Sequence, residues 1–158
     1  MGFTRAEFRK IYYIALMHDC GKIGISENVL MKPGKLTDEE YAEIKKHTTL
    51  GGEILKNFNS IEEIQEGALY HHERYDGKGY PYGLSDQSIP FLARIISVAD
   101  AFDAMTSRRS YRGELDLEYV KNEIRSKSGT QFDPIIATTF LDILNNEHHL
   151  VTMIKRSH

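Results

Sequence analysis

Tryptophan is absent from this chain of 158 residues, cysteine occurs once and proline only 4 times. The lone Cys20 excludes an internal disulfide and a cysteine-built zinc site, and it speaks for a cytoplasmic protein rather than a secreted scaffold. So few prolines beside 12 glycines exclude a collagen-like or proline-rich chain. Basic excess is missing too: Lys and Arg number 20 against 23 Asp and Glu, giving a net charge of -3. No global positive field therefore calls for DNA, RNA or an anionic membrane, although a small anion can still be held locally. The longest apolar runs, residues 12–17 and 91–93, fall far short of the roughly 20 residues that cross a bilayer, so no membrane insertion is expected. No signal-peptide pattern opens the chain, and there is no internal repeat or low-complexity tract. What remains is globular in composition, 41% hydrophobic and 27% charged, and the length fits one domain over residues 1–158 with a buried core.

Helical periodicity dominates. Thr4 with Glu7 has the spacing of a capping box, and Phe8, Ile11, Tyr12, Ala15 and Leu16 recur at helical intervals as far as His18. Thr37 with Glu40 repeats the pattern ahead of a helix carrying Tyr41, Ile44 and His47, and Ser60 with Glu63 offers a third cap ahead of Ile64, Ala68 and His71. A Gly-rich connection over residues 75–88 precedes Pro90, expected in the first turn of a helix that contains Asp100. Asp116 and the pair Asp133-Pro134 start two more helices. With no alternating strand, the expected fold is all-α, a compact bundle of about five to seven helices.

The chemical signal is a set of histidines and carboxylates near helix ends: His18, Asp19, His47, His71, His72 and Asp100. Neutral imidazoles with ionised carboxylates suit Mn, Fe, Zn or related divalent ions, and a bridging carboxylate can hold two ions close together. Neighbours on a helix point about 100 degrees apart, so the adjacent pairs His18-Asp19 and His71-His72 reach different sides of one cluster. Taken singly, each histidine reads equally well as a surface residue or a hydrogen-bonded core residue. Lys22, Lys35, Arg108, Arg109 and Arg112 are available for anions, lysine as a point charge and arginine as a bidentate fork. Tyr75, Tyr80 and Tyr82 suit either a pocket wall or a packed loop. His148, His149 and His158 read as solvated and outside the site.

These residues carry a resemblance. His18-Asp19-Cys20-Gly21-Lys22-Ile23-Gly24-Ile25, with Leu30-Met31-Lys32-Pro33-Gly34-Lys35-Leu36-Thr37, is similar to the opening signature of the HD-GYP subgroup of HD-domain phosphohydrolases. His71-His72-Glu73-Arg74-Tyr75-Asp76-Gly77-Lys78-Gly79-Tyr80-Pro81 resembles the second signature and contains the three residues that name the subgroup. Residues 96–106 and 129–134 resemble its later segments. The resemblance implies an HD-domain-like helical fold and a metal-dependent phosphodiesterase that converts cyclic di-GMP to pGpG, and in some members to GMP. It further implies two or three divalent ions, iron or manganese. Carried over by position, it makes His18, Asp19, His47, His71, His72 and Asp100 metal ligands. Lys22, Arg109 and Arg112 become contacts to substrate phosphates or bases, and Gly79, Tyr80 and Pro81 a loop for substrate positioning and for partners such as diguanylate cyclase domains.

The implied reaction is direct hydrolysis, with Asp19 bridging the ions and Lys22 holding the phosphate or helping the leaving oxygen. One departure bears on this. Family members carry a further histidine upstream, whereas the 17 residues before His18 contain none, so an N-terminally shortened domain is expected. Shortening predicts an exposed apolar face on Phe8, Ile11, Tyr12 and Ala15, covered by a homodimer or an upstream sensory region. Two alternatives stay open: an HD-GYP module with impaired catalysis that binds a nucleotide or a protein, and an HD-domain hydrolase of another nucleotide.

Overall fold

Two threonines start the helices that carry half of the polar cluster. The structure, a computed structural model, describes residues 4–106 and 117–146. At α1 (Arg5–Met17) the Thr4 hydroxyl accepts from the Glu7 amide at 3.3 Å while the Glu7 carboxylate accepts from the Thr4 amide at 2.7 Å, a complete capping box. A 3-10 turn (Cys20–Gly24) and the short α2 (Glu27–Leu30) follow. Thr37 and Glu40 then repeat the reciprocal pair at the start of α3 (Asp38–Leu55).

The third expected cap does not form. α4 (Ile64–Tyr70) begins after Glu63, which sits in a left-handed backbone conformation at φ 64° and has its carboxylate ion-paired with Lys10 of α1. A charge-assisted bond to a neighbouring helix outcompetes the local capping bond that Ser60 offered. Pro90 stands one residue ahead of α5 (Phe91–Thr106), its carbonyl accepting from the Arg94 amide at 3.1 Å. α6 (Leu117–Ser126) follows, and Asp116 lies outside the described residues. At α7 (Pro134–Asn146) the Asp133 carboxylate accepts from the Ile135 and Ile136 amides at 2.8 and 3.2 Å, as the Asp-Pro pair predicts. The fold is all-α, with seven α-helices and only isolated bridges among the described residues.

Two apolar clusters hold the helices. Ile14, Leu55, Ile64, Ala68, Leu92 and Ile96 join α1, α3, α4 and α5, while Val98, Phe102, Val120, Ile124, Ile136 and Leu141 join α5, α6 and α7. Ile95 packs against both, so α5 is the shared wall. A short ion pair between Arg94 of α5 and the buried Asp133 ties the same helix to the head of α7. On α1 the buried residue is Ile14, with Ile11, Ala15 and Met17 packed beside it. Phe8 (65% exposed), Tyr12 (57%) and Leu16 (64%) form a second apolar stripe that faces away from this core. The expected open face is therefore present at Phe8 and Tyr12 but not at Ile11 and Ala15, because a helix with apolar residues around most of its girth buries only the side turned inward.

The turn after α1 lies directly on α3. A side chain at Gly21 would overlap the His47 carbonyl oxygen and the Gly51 amide nitrogen, both backbone atoms that cannot swing aside. Gly21→Ala is therefore expected to cost about 2 kcal/mol or more, at the upper part of the range for overpacking. Denaturant unfolding of the metal-free protein measures this, and an unchanged midpoint would contradict the close packing of turn and helix.

Candidate metal centre

Four helices bring the polar residues to one place. His18 caps the C-terminal end of α1 with Asp19 next to it, and His47 lies on the buried face of α3. His71 caps the end of α4 with His72 following, and Asp100 lies within α5. Three of the four imidazoles are oriented in the same way. His18 Nδ1 lies 2.5 Å from the Ala15 carbonyl oxygen, His47 Nδ1 lies 2.7 Å from that of Ile44, and His71 Nδ1 lies 2.9 Å from that of Ala68. A carbonyl oxygen only accepts, so Nδ1 carries the proton and, in the neutral ring, Nε2 is left as a lone-pair donor to a cation. This is how a metal-ligating histidine is held by its surroundings.

Those Nε2 atoms converge on Asp19. Its Oδ1 lies 3.4 Å from His47 Nε2 and 3.8 Å from His71 Nε2, and its Oδ2 lies 3.3 Å from His18 Nε2. One carboxylate thus addresses His47 and His71 with one oxygen and His18 with the other. Asp100 closes the opposite side, 3.7 Å from His18 Nε2. Two ligand sets result, His47-His71-His72 and His18-Asp19-His71, with His71 common to both. His18 Nε2 and Asp19 Oδ1 are buried without hydrogen-bond partners, and the Nε2 atoms of His47 and His71 face one another at 3.3 Å. Buried polar atoms are ordinarily paired, and two lone pairs at that separation repel unless a positive centre lies between them. The donor set of imidazole and carboxylate fits divalent transition metals.

Charge follows burial and neighbours. Burial, with the other histidines adding repulsion, pushes His71 down to about 3 and His72 down to about 4, and burial also lowers His47. All three are neutral near pH 7, the state a ligand requires. His18 goes the other way: burial opposes its charge, but the negative Asp100 and Asp19 carboxylates near its Nε2 and the Ala15 carbonyl outweigh it and raise it to about 10. Burial likewise opposes ionisation of Asp19, yet His18 and Lys22 hold its carboxyl well below the usual carboxylate range.

The loop after His72 covers one edge of the cluster. Glu73 is 2% exposed, and its two carboxylate oxygens accept from the Tyr82 and Leu84 amides at 2.7 and 3.0 Å, folding residues 79–84 back over His72. Tyr80 donates its amide to the His72 carbonyl at 3.2 Å, and its ring centroid lies 4.9 Å from that of His72. The Tyr80-Pro81 peptide is cis. Gly79 is needed for space rather than for torsion, since a side chain there would strike the backbone of Glu73 and Arg74. Arg74 grips Asp76 with two bonds of 3.0 and 2.7 Å, and the Tyr75 and Asp76 amides donate to Gln131 and Thr130, so this loop rests on the segment before α7.

Every expected ligand is therefore in the cluster, and Lys22 reaches Asp19 Oδ2 at 2.5 Å. Arg109, Arg112 and Arg108 lie outside the described residues, as do His148, His149 and His158. Cys20 is an ordinary packing residue against the α1 core, its thiol 3.9 Å from the Gly51 carbonyl. Sequence reasoning missed the buried carboxylate of Glu73 and the ammonium of Lys45, which lies 5.0 Å from the Tyr41 ring and 6.0 Å from the Tyr80 ring. The i,i+4 spacing of Tyr41 and Lys45 on α3 is the signal that could have found the second.

Proton release follows from the state of His18. Its value of about 10 lies above the ordinary 6.5, so its charge stabilises the metal-free fold fully below about pH 6.5, and that contribution is lost as pH rises through about 10. A cation on His18 Nε2 must displace this proton. Uptake of Mn(II) near neutral pH is therefore expected to release protons and to weaken in acid. Calorimetric titration in two buffers of different ionisation enthalpy counts them, and a count of zero would contradict the arrangement.

Comparison with known proteins agrees with this geometry. The family profile described as HD domain matches residues 2–136. A cyclic di-GMP phosphodiesterase of Thermotoga maritima is 46% identical over 145 residues, covering 90% of this chain and 39% of the relative. The cyclic di-GMP phosphodiesterase response regulator RpfG of Xanthomonas campestris is 44% identical over 137 residues, covering 85% of this chain and 36% of the relative. The chain thus spans less than two fifths of these proteins' length. A solved structure of a cyclic GMP-AMP specific phosphodiesterase of Vibrio cholerae, V-cGAP3, shares the fold with a TM-score of 0.70 at 20% identity, over 94% of this chain and 41% of that one. By family profile, by relatives and by the two ligand groups, three histidines in one and His18, Asp19 and His71 in the other, the chain belongs to the HD domain family, within its HD-GYP branch.

Proposed function

We propose that this chain hydrolyses a cyclic dinucleotide, cyclic di-GMP foremost, to pGpG or GMP, using two or three iron or manganese ions. The observation that carries this reading is the convergence of His18, His47 and His71 Nε2 on the two oxygens of Asp19, with two of those atoms buried and unpartnered. Divalent ions held there supply Lewis-acid polarisation of the phosphate and a lowered pKa for the attacking water. Asp19, addressing different imidazoles with its two oxygens, is the residue that would hold two ions together. His18, His47, His71, His72 and Asp100 complete the set, and each imidazole held through Nδ1 keeps its lone pair fixed.

Lys22 sits at the rim beside Asp19, side chain 46% exposed, where its ammonium offsets charge on the phosphate. Arg109 and Arg112 belong with it as phosphate or base contacts. Gly79, Tyr80 and Pro81 form the wall that orients substrate. A single domain over residues 1–158 fits two apolar clusters that share one helix. The exposed stripe of Phe8, Tyr12 and Leu16 supports contact with a second copy or an upstream sensory region, and the Gly79-Tyr80-Pro81 loop suits a diguanylate cyclase domain. No described helix is long and apolar enough to cross a membrane, and the cytoplasm remains the compartment we assign.

Anaerobic turnover of cyclic di-GMP, with cyclic GMP-AMP in parallel, tests the reading on protein of known metal content supplied with Fe(II) or Mn(II). Metal-dependent pGpG or GMP is expected, and Asp19→Ala should lower both metal content and turnover by at least about a hundredfold, since even outer-shell changes cost ten- to a hundredfold. Faster turnover of cyclic GMP-AMP would reassign the substrate. Nucleotide binding without turnover in fully loaded protein would replace the enzyme by a binding module. Lys22→Ala should weaken substrate binding about tenfold while leaving metal content intact, the scale of a charge-assisted hydrogen bond. An equal fall in metal content would sink the phosphate role of Lys22.

A further inference from the structure

Beside the metal cluster lies a cleft of about 280 Å³ whose walls include Tyr41, His72, Lys78, Tyr80, Ser97 and Gln131. His72, one of the cluster's imidazoles, forms its inner wall, so whatever fills the cleft abuts the ions' site. Its charges are unevenly spent. Arg74 is committed to Asp76 by two bonds, and the Glu73 carboxylate is committed to the amides of Tyr82 and Leu84. Lys78 also lines the cleft, and Lys45 stands next to it rather than in its lining: among the described residues the Lys45 ammonium has no carboxylate partner and rests against the Tyr41 and Tyr80 rings, at 5.0 and 6.0 Å. Tyr41 and Lys45 are four residues apart on α3, hence neighbours on one face, and Tyr41 keeps 48% of its surface exposed.

We propose that Tyr41 and Lys45 form a nucleotide subsite that holds the half of the substrate not being cleaved, its base on the Tyr41 ring and its phosphate on the Lys45 ammonium. This inference rests on the phosphodiesterase reading for the identity of its ligand. Size supports it, because a cleft of about 280 Å³ sits at the small end of ligand pockets and suits one nucleotide rather than two. Chemistry supports it as well. A half-exposed ring offers a face for stacking, and an unpaired ammonium held on aromatic faces is already positioned for an anion. The Gln131 side-chain oxygen accepts from Arg74 at 3.5 Å, which leaves its amide N–H groups to meet a base carbonyl, a feature of guanine at its six position that adenine lacks. Tyr80 serves the cleft as a wall, since its ring is already packed on His72.

The test is calorimetric binding of GMP, cyclic di-GMP and inorganic phosphate to the Mn(II)-loaded protein, with turnover of cyclic di-GMP recorded separately. Lys45→Met and Tyr41→Ala should each weaken GMP and cyclic di-GMP about tenfold, the usual scale for losing one stacking or charged contact, while metal content stays at the wild-type level. Tyr41→Phe should bind as wild type does, because the ring face is what the base uses. Tyr41→Ala should leave inorganic phosphate binding unchanged. Nucleotide affinity unaltered in both variants, or lost only together with metal, overturns the subsite, as does a wild-type protein that binds no nucleotide. Two outcomes separate this inference from the reading it rests on. Weakened nucleotide binding in the variants of a protein that hydrolyses nothing upholds the subsite and removes the enzyme. Turnover with unaltered binding in the variants upholds the enzyme and removes the subsite.

Discussion

Two imidazole nitrogens 3.3 Å apart, both with their lone pairs turned inward, are the constraint around which the rest of this molecule is arranged. His47 and His71 each give their Nδ1 proton to a backbone carbonyl of their own helix, and so cannot relieve the repulsion by turning over. Such a pair costs free energy in an empty pocket and becomes favourable only when a cation takes both lone pairs. Asp19 and Asp100 supply the negative charge that such a cation needs, and until it arrives they hold a proton on His18 instead. Stability has been exchanged for readiness to bind.

Holding that arrangement requires backbones to approach closely. Gly21 lets the turn bearing Asp19 lie on α3 beside His47, and Gly79 lets the following loop fold onto the backbone of residues 73 and 74. Glu73 does the same work with charge, taking two amides of the loop into a buried carboxylate and setting Tyr80 against His72. α5 unites these parts. One side of it packs with α1, α3 and α4, the other with α6 and α7, and Asp100 emerges between the two clusters. A ligand mounted on a helix clamped from both sides has little freedom to drift, which is what a metal site with fixed distances demands.

Much of this was legible in the order of residues. The capping boxes at Thr4 and Thr37 and the Asp133 cap depend on spacings of two or three positions, which survive folding unchanged, whereas the group of His18, Asp19, His47, His71, His72 and Asp100 was legible through the family signatures that contain most of it. The failures fall where a distant partner intervened. Glu63 was drawn away from a local cap by Lys10, and Ile11 and Ala15 are partly covered because they flank Ile14, which packs with α4 and α5.

The sequence by itself therefore determined the helices, through apolar intervals of three or four positions, and the family, through the residue types of its signatures. Tertiary structure alone decided that Asp19 turns one oxygen to His47 and His71 and the other to His18, and that Glu73 latches the loop over the site. It alone also set Lys45 against two tyrosine rings from distant parts of the chain, Tyr41 and Tyr80. Contacts of that kind depend on how helices from distant parts of the chain cross, a geometry governed by packing of the two apolar clusters and invisible to any local pattern.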